Sequence, residues 1–116
     1  VIFHTCSTYP SPLSELNLQY IKWLTDKYPD KEIGYSGHEF GLVTTFAAVS
    51  IGVKWIERHV TLDRTMWGSD HMSSVEPSGM IKLVTGIRSI ELAMSGGYGP
   101  RKLSPSELQK QSTLRK

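Results

Sequence analysis

The sequence lacks several features that mark common classes of protein. Cys6 is the single cysteine among 116 residues, which excludes an internal disulfide and is typical of a reducing compartment. No apolar run approaches the roughly 20 residues that a bilayer-spanning helix needs, and no signal-peptide pattern is present. We therefore predict a soluble, cytoplasmic chain without a membrane partner.

The sequence also lacks a large excess of either positive or negative charge. The 13 lysines and arginines nearly balance the 11 acidic residues, and the formal net charge is +2. This charge is too small to indicate a nucleic-acid or anionic-membrane partner, and no basic cluster alternates with aromatic residues. The P-loop, the G-x-G-x-x-G pattern and the C-x-x-C pattern are absent as well. We predict no nucleic-acid partner.

The patterns that are present alternate between strand and helix. Short apolar, β-branched runs are separated by segments with helical spacing and by Pro- or Gly-containing breakers. We predict strands at residues 1–6, 32–36 and 53–59, helices at 14–28, 41–51 and from 78 to about 95, and a further helix start at 104–107. This β-α-β-α-β-α order predicts an α/β fold with parallel strands and right-handed connections.

Three such units are fewer than half of an eight-unit barrel of about 250 residues. A three-stranded parallel sheet alone would leave apolar edges and one open face. The chain also begins at Val1 within an apparent strand. We therefore expect more chain to complete the fold, either from the same polypeptide or from another copy.

Local signals predict where the helices begin and end. Gly52 is well placed to cap the second helix at its C-terminus, and Ser78 to cap the third at its N-terminus. The third helix carries a stripe of apolar residues at a spacing of three: Ile81, Val84, Ile87 and Ile90.

His38 and His59 stand at the ends of two neighbouring predicted strands. The C-terminal ends of parallel strands share one rim, so the two imidazoles can converge although they are 21 positions apart. Two neutral imidazoles can hold a first-row metal ion. The alternative is that each histidine is a hydrogen-bonded structural residue, and spacing does not decide between them.

Side chains alternate across a strand, so polar residues join these histidines on one face. The paired positions are Glu57 with His59, Ser36 with His38, and Ser7 with Tyr9. A polar rim of this kind suits a site better than a packed core. Glu57 and Asp70 are candidate proton-handling or supporting groups.

Other reactive residue types have weaker claims to a functional role. His4 and Cys6 fall on the opposite face of the first strand, where we predict packing under a helix rather than a nucleophilic cysteine. His71 is a candidate third ligand, although a polar loop residue is the commoner case.

For two tryptophans and two arginines, a structural role is also commoner than a functional one. We predict that Trp55 and Trp67 pack rather than form stacking platforms. Arg58 and Arg64 could meet a phosphate, but solvated or structural charges are commoner.

Four stretches of this sequence closely resemble one family. They are HTCSTYP, IGYSGHEFGL, AAVSIGVKWIERHVTLDRTMWGSDHMSSVEP and GPRKLSPSE, which together span almost the whole chain in the family's order. The family is that of the sialic acid synthases, or N-acetylneuraminate synthases, including forms that use a 6-phosphorylated sugar. The resemblance implies a TIM (β/α)8 barrel of which this chain supplies the C-terminal three units, strands six to eight.

The resemblance also implies a reaction and a cofactor. Phosphoenolpyruvate condenses with N-acetylmannosamine, its 6-phosphate or a related sugar, giving a nine-carbon 2-keto acid and phosphate by C–O cleavage. The family uses a divalent metal, Mn²⁺ or Mg²⁺. His38 and His59 match its metal ligands, and Glu57 matches a motif acid to which we assign proton handling or water positioning.

Four further positions match substrate-binding positions of the family. Ser36 matches a residue near phosphoenolpyruvate, and Ser7 stands where some members carry a phosphoenolpyruvate-binding asparagine. Tyr9 and Asp70 match residues that touch the sugar.

The family's first five strands, with their phosphate-binding residues, and its C-terminal antifreeze-like domain have no counterpart in residues 1–116. We therefore expect one partial barrel domain that is inactive alone and completed by an N-terminal half or by a homo-oligomer. Two rival interpretations are another metal-dependent aldol-type condensing enzyme on the same barrel and a non-catalytic orphan fragment.

Overall fold

The computed structural model describes residues 1–68 and 70–114. Three parallel strands, in the order β1-β2-β3, form one sheet. The strands are β1 (Ile2–Thr5), β2 (Ile33–Gly37) and β3 (Trp55–Arg58), and the helices are α1 (Gln19–Lys27), α2 (Val43–Ser50), α3 (Pro77–Ala93) and α4 (Pro105–Leu114). The predicted order of strands and helices is confirmed, and so are the parallel strands.

The core lies between the sheet and the first two helices. Alternate residues of β2, among them Ile33 and Tyr35, face α1 and α2, where they are buried against Ile21, Leu24 and Ala48. Burying such apolar surface is the main favourable contribution to folding. No described helix is both long and apolar enough to cross a bilayer.

The first helix begins later than the sequence predicts. A short 3-10 turn, Leu13–Glu15, comes first, and α1 starts only at Gln19. Asn17 lies between them with φ of 45°, in the left-handed region, so helical geometry cannot run through it. Asparagine tolerates this conformation better than most residues.

Two of the predicted helix ends are confirmed. Gly52 follows α2 with φ of 108°, and its amide donates to the carbonyl of Val49 at 3.1 Å. At the start of α4, Ser104 and Glu107 form a reciprocal capping box: each backbone amide donates to the other's side chain.

The start of α3 and its apolar stripe differ from the prediction. The helix begins at Pro77, whose missing N–H costs nothing at a first helical position, so Ser78 is not its cap. Ile81 is 70% exposed, whereas Leu83 is buried. A spacing of three falls short of the 3.6-residue turn, and over nine residues the stripe rotates by about 180°. Ile81 and Ile90 therefore cannot share one face.

The other face of the sheet is open and layered. One row of the register pairs Phe3, Gly34 and Trp55. A Cβ on Gly34 would lie 2.6 Å from the Phe3 ring, so this glycine makes room for the ring. Phe3 is 43% exposed and Trp55 is 48% exposed, which confirms the expected open apolar face. The next row, Thr5, Ser36 and Glu57, is polar.

Candidate metal centre

The two histidines lie together at the carboxyl end of the sheet. β2 ends at Gly37 and β3 ends at Arg58, and these two residues are partners in the register. His38 and His59 follow directly, with ring centroids 5.2 Å apart and ring planes at 76°. The predicted convergence of the pair is therefore confirmed, because adjacent parallel strands end at one rim.

The hydrogen bonds of His38 orient its ring. Its Nδ1 lies 3.0 Å from the carbonyl oxygen of Cys6 and 3.3 Å from the hydroxyl of Thr5. Because a carbonyl oxygen can only accept, Nδ1 carries the proton and donates to Cys6. In the neutral imidazole this tautomer leaves the lone pair on Nε2, the nitrogen that a metal ion would bind.

Glu57 completes a set of three potential ligand side chains at this rim. Its Oε1 lies 3.6 Å from His59 Nε2, and its Oε2 accepts a short hydrogen bond from Ser36. One ligand atom from each of His38, Glu57 and His59 lies within 4.8 Å of the other two. No second group of this kind occurs among residues 1–68 and 70–114.

These three side chains fit a small divalent ion. Donors held about 2.1 Å from an octahedral ion are separated by about 3.0 Å when adjacent and about 4.2 Å when opposite. The ligand atoms of the three side chains lie up to 4.8 Å apart. If each atom moved by less than about 1 Å, a shift that side-chain rotation allows, these separations would match those around a bound ion. Two imidazoles with one carboxylate suit a first-row metal ion. Glu57, which the sequence placed beside the metal, therefore lies where it could also be a ligand.

Asp70 supports His59 from the other side. Its Oδ2 lies 3.6 Å from His59 Nδ1, just before the short 3-10 turn His71–Ser73. At this distance the carboxylate is a charged neighbour of His59, on the nitrogen opposite the one that faces Glu57. Asp70, Glu57 and His59 line an open cavity of about 470 Å³ together with Val60, Gly68, His71 and Ser74.

Tyr9 covers the histidine pair. Its ring centroid is 4.5 Å from that of His38 and 6.1 Å from that of His59, and the residue is 44% exposed. Ser36 is buried, and its hydroxyl is engaged with Glu57. Ser7 lies exposed in the loop that follows β1.

The remaining candidates from the sequence lie apart from this cluster. His4 packs beside Tyr20, and its Nε2 is 2.7 Å from the carbonyl of Leu16, as the opposite-face prediction required. The thiol of Cys6, half-buried, lies 3.5 Å from the Thr8 hydroxyl. His71 bonds the Thr61 hydroxyl at 2.8 Å and is not a member of the three-ligand group.

The packing predicted for the two tryptophans is wrong for Trp67. Its side chain is fully exposed in the loop between β3 and α3. Trp55 is half-exposed on the open face, where its Nε1 donates to Glu32 at 2.7 Å. The hydrophobic character of the two tryptophans predicted that they would be buried. No part of the chain that the structure describes covers the open face on which Trp55 lies.

The two arginines have structural partners. Arg64 pairs with Glu76 at 2.7 Å and lies over the Phe40 ring. Arg58 is buried on the helix-facing side of β3, where it pairs with the fully buried Glu39 at 3.4 Å. The sequence analysis missed Glu39. The available signal was alternation, which places Arg58 on a buried face that requires an acidic partner.

Glu39 is held ionised by hydrogen bonds. Burial alone would raise the pKa of its carboxyl, but the hydroxyl of Thr44 donates to it at 2.7 Å. With the Arg58 charge and a bond from the Tyr35 hydroxyl, the pKa of Glu39 falls below its usual range. Burial, followed by the Glu39 charge, raises the pKa of Tyr35, so its hydroxyl remains a donor.

Comparison with known proteins finds sugar-acid synthases among the relatives of this chain. Residues 1–98 match the model of the NeuB family. The chain is 43% identical over 102 residues to human N-acetylneuraminate-9-phosphate synthase, covering 88% of this chain and 28% of that protein. It is 40% identical over 115 residues to N,N'-diacetyllegionaminic acid synthase of Campylobacter jejuni, covering 99% of this chain and 34% of that protein.

A solved structure agrees with these relatives. The N-acetylneuraminic acid (sialic acid) synthetase of Leptospira borgpetersenii, in complex with citrate, superposes with a TM-score of 0.78 at 36% identity. The match covers 97% of this chain and 40% of that chain. This chain thus corresponds to less than half the length of each of these proteins.

Proposed function

Since the chain belongs to the NeuB family, we propose that it forms the metal-binding part of the active site of a sialic acid synthase-type enzyme. The observation that carries this proposal is the meeting of His38, Glu57 and His59 at the carboxyl ends of two parallel strands. Active sites of (β/α)8 barrels are built at this end of the strands.

The proposed place of the chain in that enzyme is the last part of the barrel. We assign its three units to strands six to eight, in one partial barrel domain. The half-exposed Phe3 and Trp55 on the inner face support this assignment, because barrel interiors are filled by layers of side chains from all strands. An N-terminal half is the proposed cover for this face.

The proposed reaction joins phosphoenolpyruvate to N-acetylmannosamine or a related sugar. Carbon C3 of phosphoenolpyruvate forms a bond to the sugar aldehyde, water adds at C2, and phosphate leaves by C–O cleavage to give the 2-keto acid. Bound Mn²⁺ or Mg²⁺ would act as a Lewis acid that polarises the aldehyde oxygen. The chain's own residues bind and orient the reactants.

Each residue has a role that its position supports. His38 and His59 hold the ion, the first oriented by the Cys6 carbonyl and the second by Asp70. Glu57, bonded by Ser36, is an ion ligand or handles a proton of the attacking water. Four positions line the proposed substrate space: Ser7 and Ser36 toward phosphoenolpyruvate, and Tyr9 and Asp70 toward the sugar.

Metal binding tests the first step of this proposal. Mn²⁺ titration of the 116-residue chain, followed by electron paramagnetic resonance, should show one site. His38→Ala and His59→Ala should each lose that site. His71→Ala is the matched control, since this histidine lies in the neighbouring loop but outside the three-ligand group. Equal Mn²⁺ binding by all three variants and the parent chain would contradict the ligand assignment.

Turnover tests the second step. The isolated chain should release no phosphate from phosphoenolpyruvate, because it carries the ion ligands but not the proposed phosphate-binding half. A chimera in which residues 1–98 replace the matching segment of the human synthase should release phosphate only when the amino sugar is present. A folded, metal-binding chimera without turnover would count against the proposed reaction, as would turnover by the chain alone.

A further inference from the structure

We infer that Arg58 is a positioning residue for the metal centre: it holds the two histidine-bearing chain segments in register from the opposite side of the sheet. This inference rests on the proposed metal site. It concerns a side chain that points away from that site, donates to none of the proposed ligands and does not line the cavity beside them.

The guanidinium bonds the segment that carries His38. Its Nη2 donates to the backbone carbonyl of Glu39 at 2.9 Å, and its Nη1 donates to the carbonyl of Gly41 at 2.8 Å. Glu39 is the residue directly after His38. The bonds therefore fix the backbone where the chain leaves β2, and any movement of Glu39 would carry His38 with it.

The same guanidinium bonds the segment that follows His59. Nη2 also donates to the carbonyl of Ser73 at 3.1 Å, in the turn just after Asp70. Arg58 itself directly precedes His59. One buried, planar side chain thus joins three backbone segments: the end of β2, the end of β3 and the loop that brings Asp70 to His59.

Burial makes this arrangement rigid. The side chains of Arg58 and Glu39 are 2% and 0% exposed. Thr45 on α2 accepts from Nη1 at 3.0 Å and donates to Glu39 at 2.9 Å, so the network is also anchored to the helix layer. Among the described residues, Nε has no hydrogen-bond partner, and the terminal nitrogens make all of the contacts.

Lysine cannot replace this function. It keeps the positive charge but offers one nitrogen, which cannot reach three carbonyls in different directions. The histidine pair should then lose its fixed separation while both imidazoles remain present.

The test compares Arg58→Lys with Arg88→Lys in the whole 116-residue chain. Arg88 is a matched control because it is exposed on α3 and pairs with Glu91 on the same helix. In Arg58→Lys, Mn²⁺ affinity of the folded chain should fall by about 10-fold or more, the range seen when groups that orient metal ligands are removed. Arg88→Lys should bind as the parent chain does.

A second readout needs no metal. With histidines labelled for NMR, the metal-free chain should show a cross-peak between the rings of His38 and His59, assigned by its loss in either alanine variant. The cross-peak should weaken in Arg58→Lys and persist in Arg88→Lys. A purely structural arginine would lower stability without changing the ring contact or the affinity of the molecules that remain folded.

The outcomes separate the two proposals. Unchanged affinity and an unchanged cross-peak in folded Arg58→Lys would overturn the positioning role. Absence of Mn²⁺ binding by the parent chain would overturn the proposed metal site, while the cross-peak comparison would still decide the role of Arg58. If Arg58→Lys does not fold, Thr45→Val decides instead, since it removes one hydroxyl of the network and keeps its shape. A smaller loss in the same direction supports the inference, and parent-like behaviour overturns it.

Discussion

Replacing Arg58 by methionine should destabilise the chain severely. The change removes a charge whose side chain is 2% exposed and leaves the carboxylate of Glu39, which is 0% exposed, without its cation. Breaking a buried ion pair by removing one partner costs about 3–5 kcal/mol. A value near the upper end is expected, because Arg58 also donates to the carbonyls of Glu39, Gly41 and Ser73.

Urea unfolding followed by circular dichroism measures this loss. With a slope of about 2 kcal/mol per molar urea, a loss of about 5 kcal/mol moves the midpoint down by about 2.5 M. Arg88→Met is the control, because its exposed pair with Glu91 contributes about 0–1 kcal/mol.

A double variant tests the cause. Arg58→Met with Glu39→Leu removes both charges, and a well-packed apolar pair can replace a buried ion pair at little cost. The double variant should therefore lose much less stability than the sum of the two single losses. Two results would refute the argument that the pair of Arg58 and Glu39 stabilises the fold. One is a loss in the double variant equal to the sum of the two single losses. The other is a free energy of unfolding of Arg58→Met within about 1 kcal/mol of the parent value.

Three other changes should have distinct signatures. Folding lowers the pKa of Glu39, so the ionised carboxylate stabilises the folded chain fully above the ordinary glutamate pKa. This stabilisation is lost as the pH falls through the folded-state pKa. When unfolding is measured as a function of pH, Glu39→Gln should therefore lose less stability in acid than the parent chain does. Gly37→Ala should lower thermal stability by about 1–3 kcal/mol, since its Cβ would lie 2.7 Å from the Glu39 carboxylate, whereas Gly96→Ala, with open space around it, should not. Ser104→Ala should reduce the helical signal of α4 by removing its cap, and Ser112→Ala should leave that signal unchanged.

Local patterns in the sequence were sufficient for the order of the elements and for the histidine pair. β-branched runs, breakers and helical spacing depend on near neighbours, and so does the alternation that put Glu57 and His59 on one face. Parallel strands then require that His38 and His59 end at one rim. The start of the first helix was less predictable, because it depends on the left-handed backbone conformation of Asn17. The asparagine side chain permits this conformation but does not require it.

Long-range packing decided what surrounds the histidines. The Cys6 carbonyl that sets the tautomer of His38 is 32 positions away, and Arg58 reaches Glu39 across 19 positions. No periodicity encodes such partners, since they become neighbours only when β1, β2 and β3 pair in one register.

By itself, the sequence determined an α/β chain with two imidazoles at neighbouring strand ends, because that result follows from residue spacing along single strands. Only the tertiary structure decided that a carboxylate oxygen of Glu57 lies near both histidines, that Asp70 lies beside His59, and that Arg58 binds the backbone behind both. Those features depend on distances between separate chain segments. Such distances are set by the register in which the strands pair and by the side chains that pack on the buried face of the sheet.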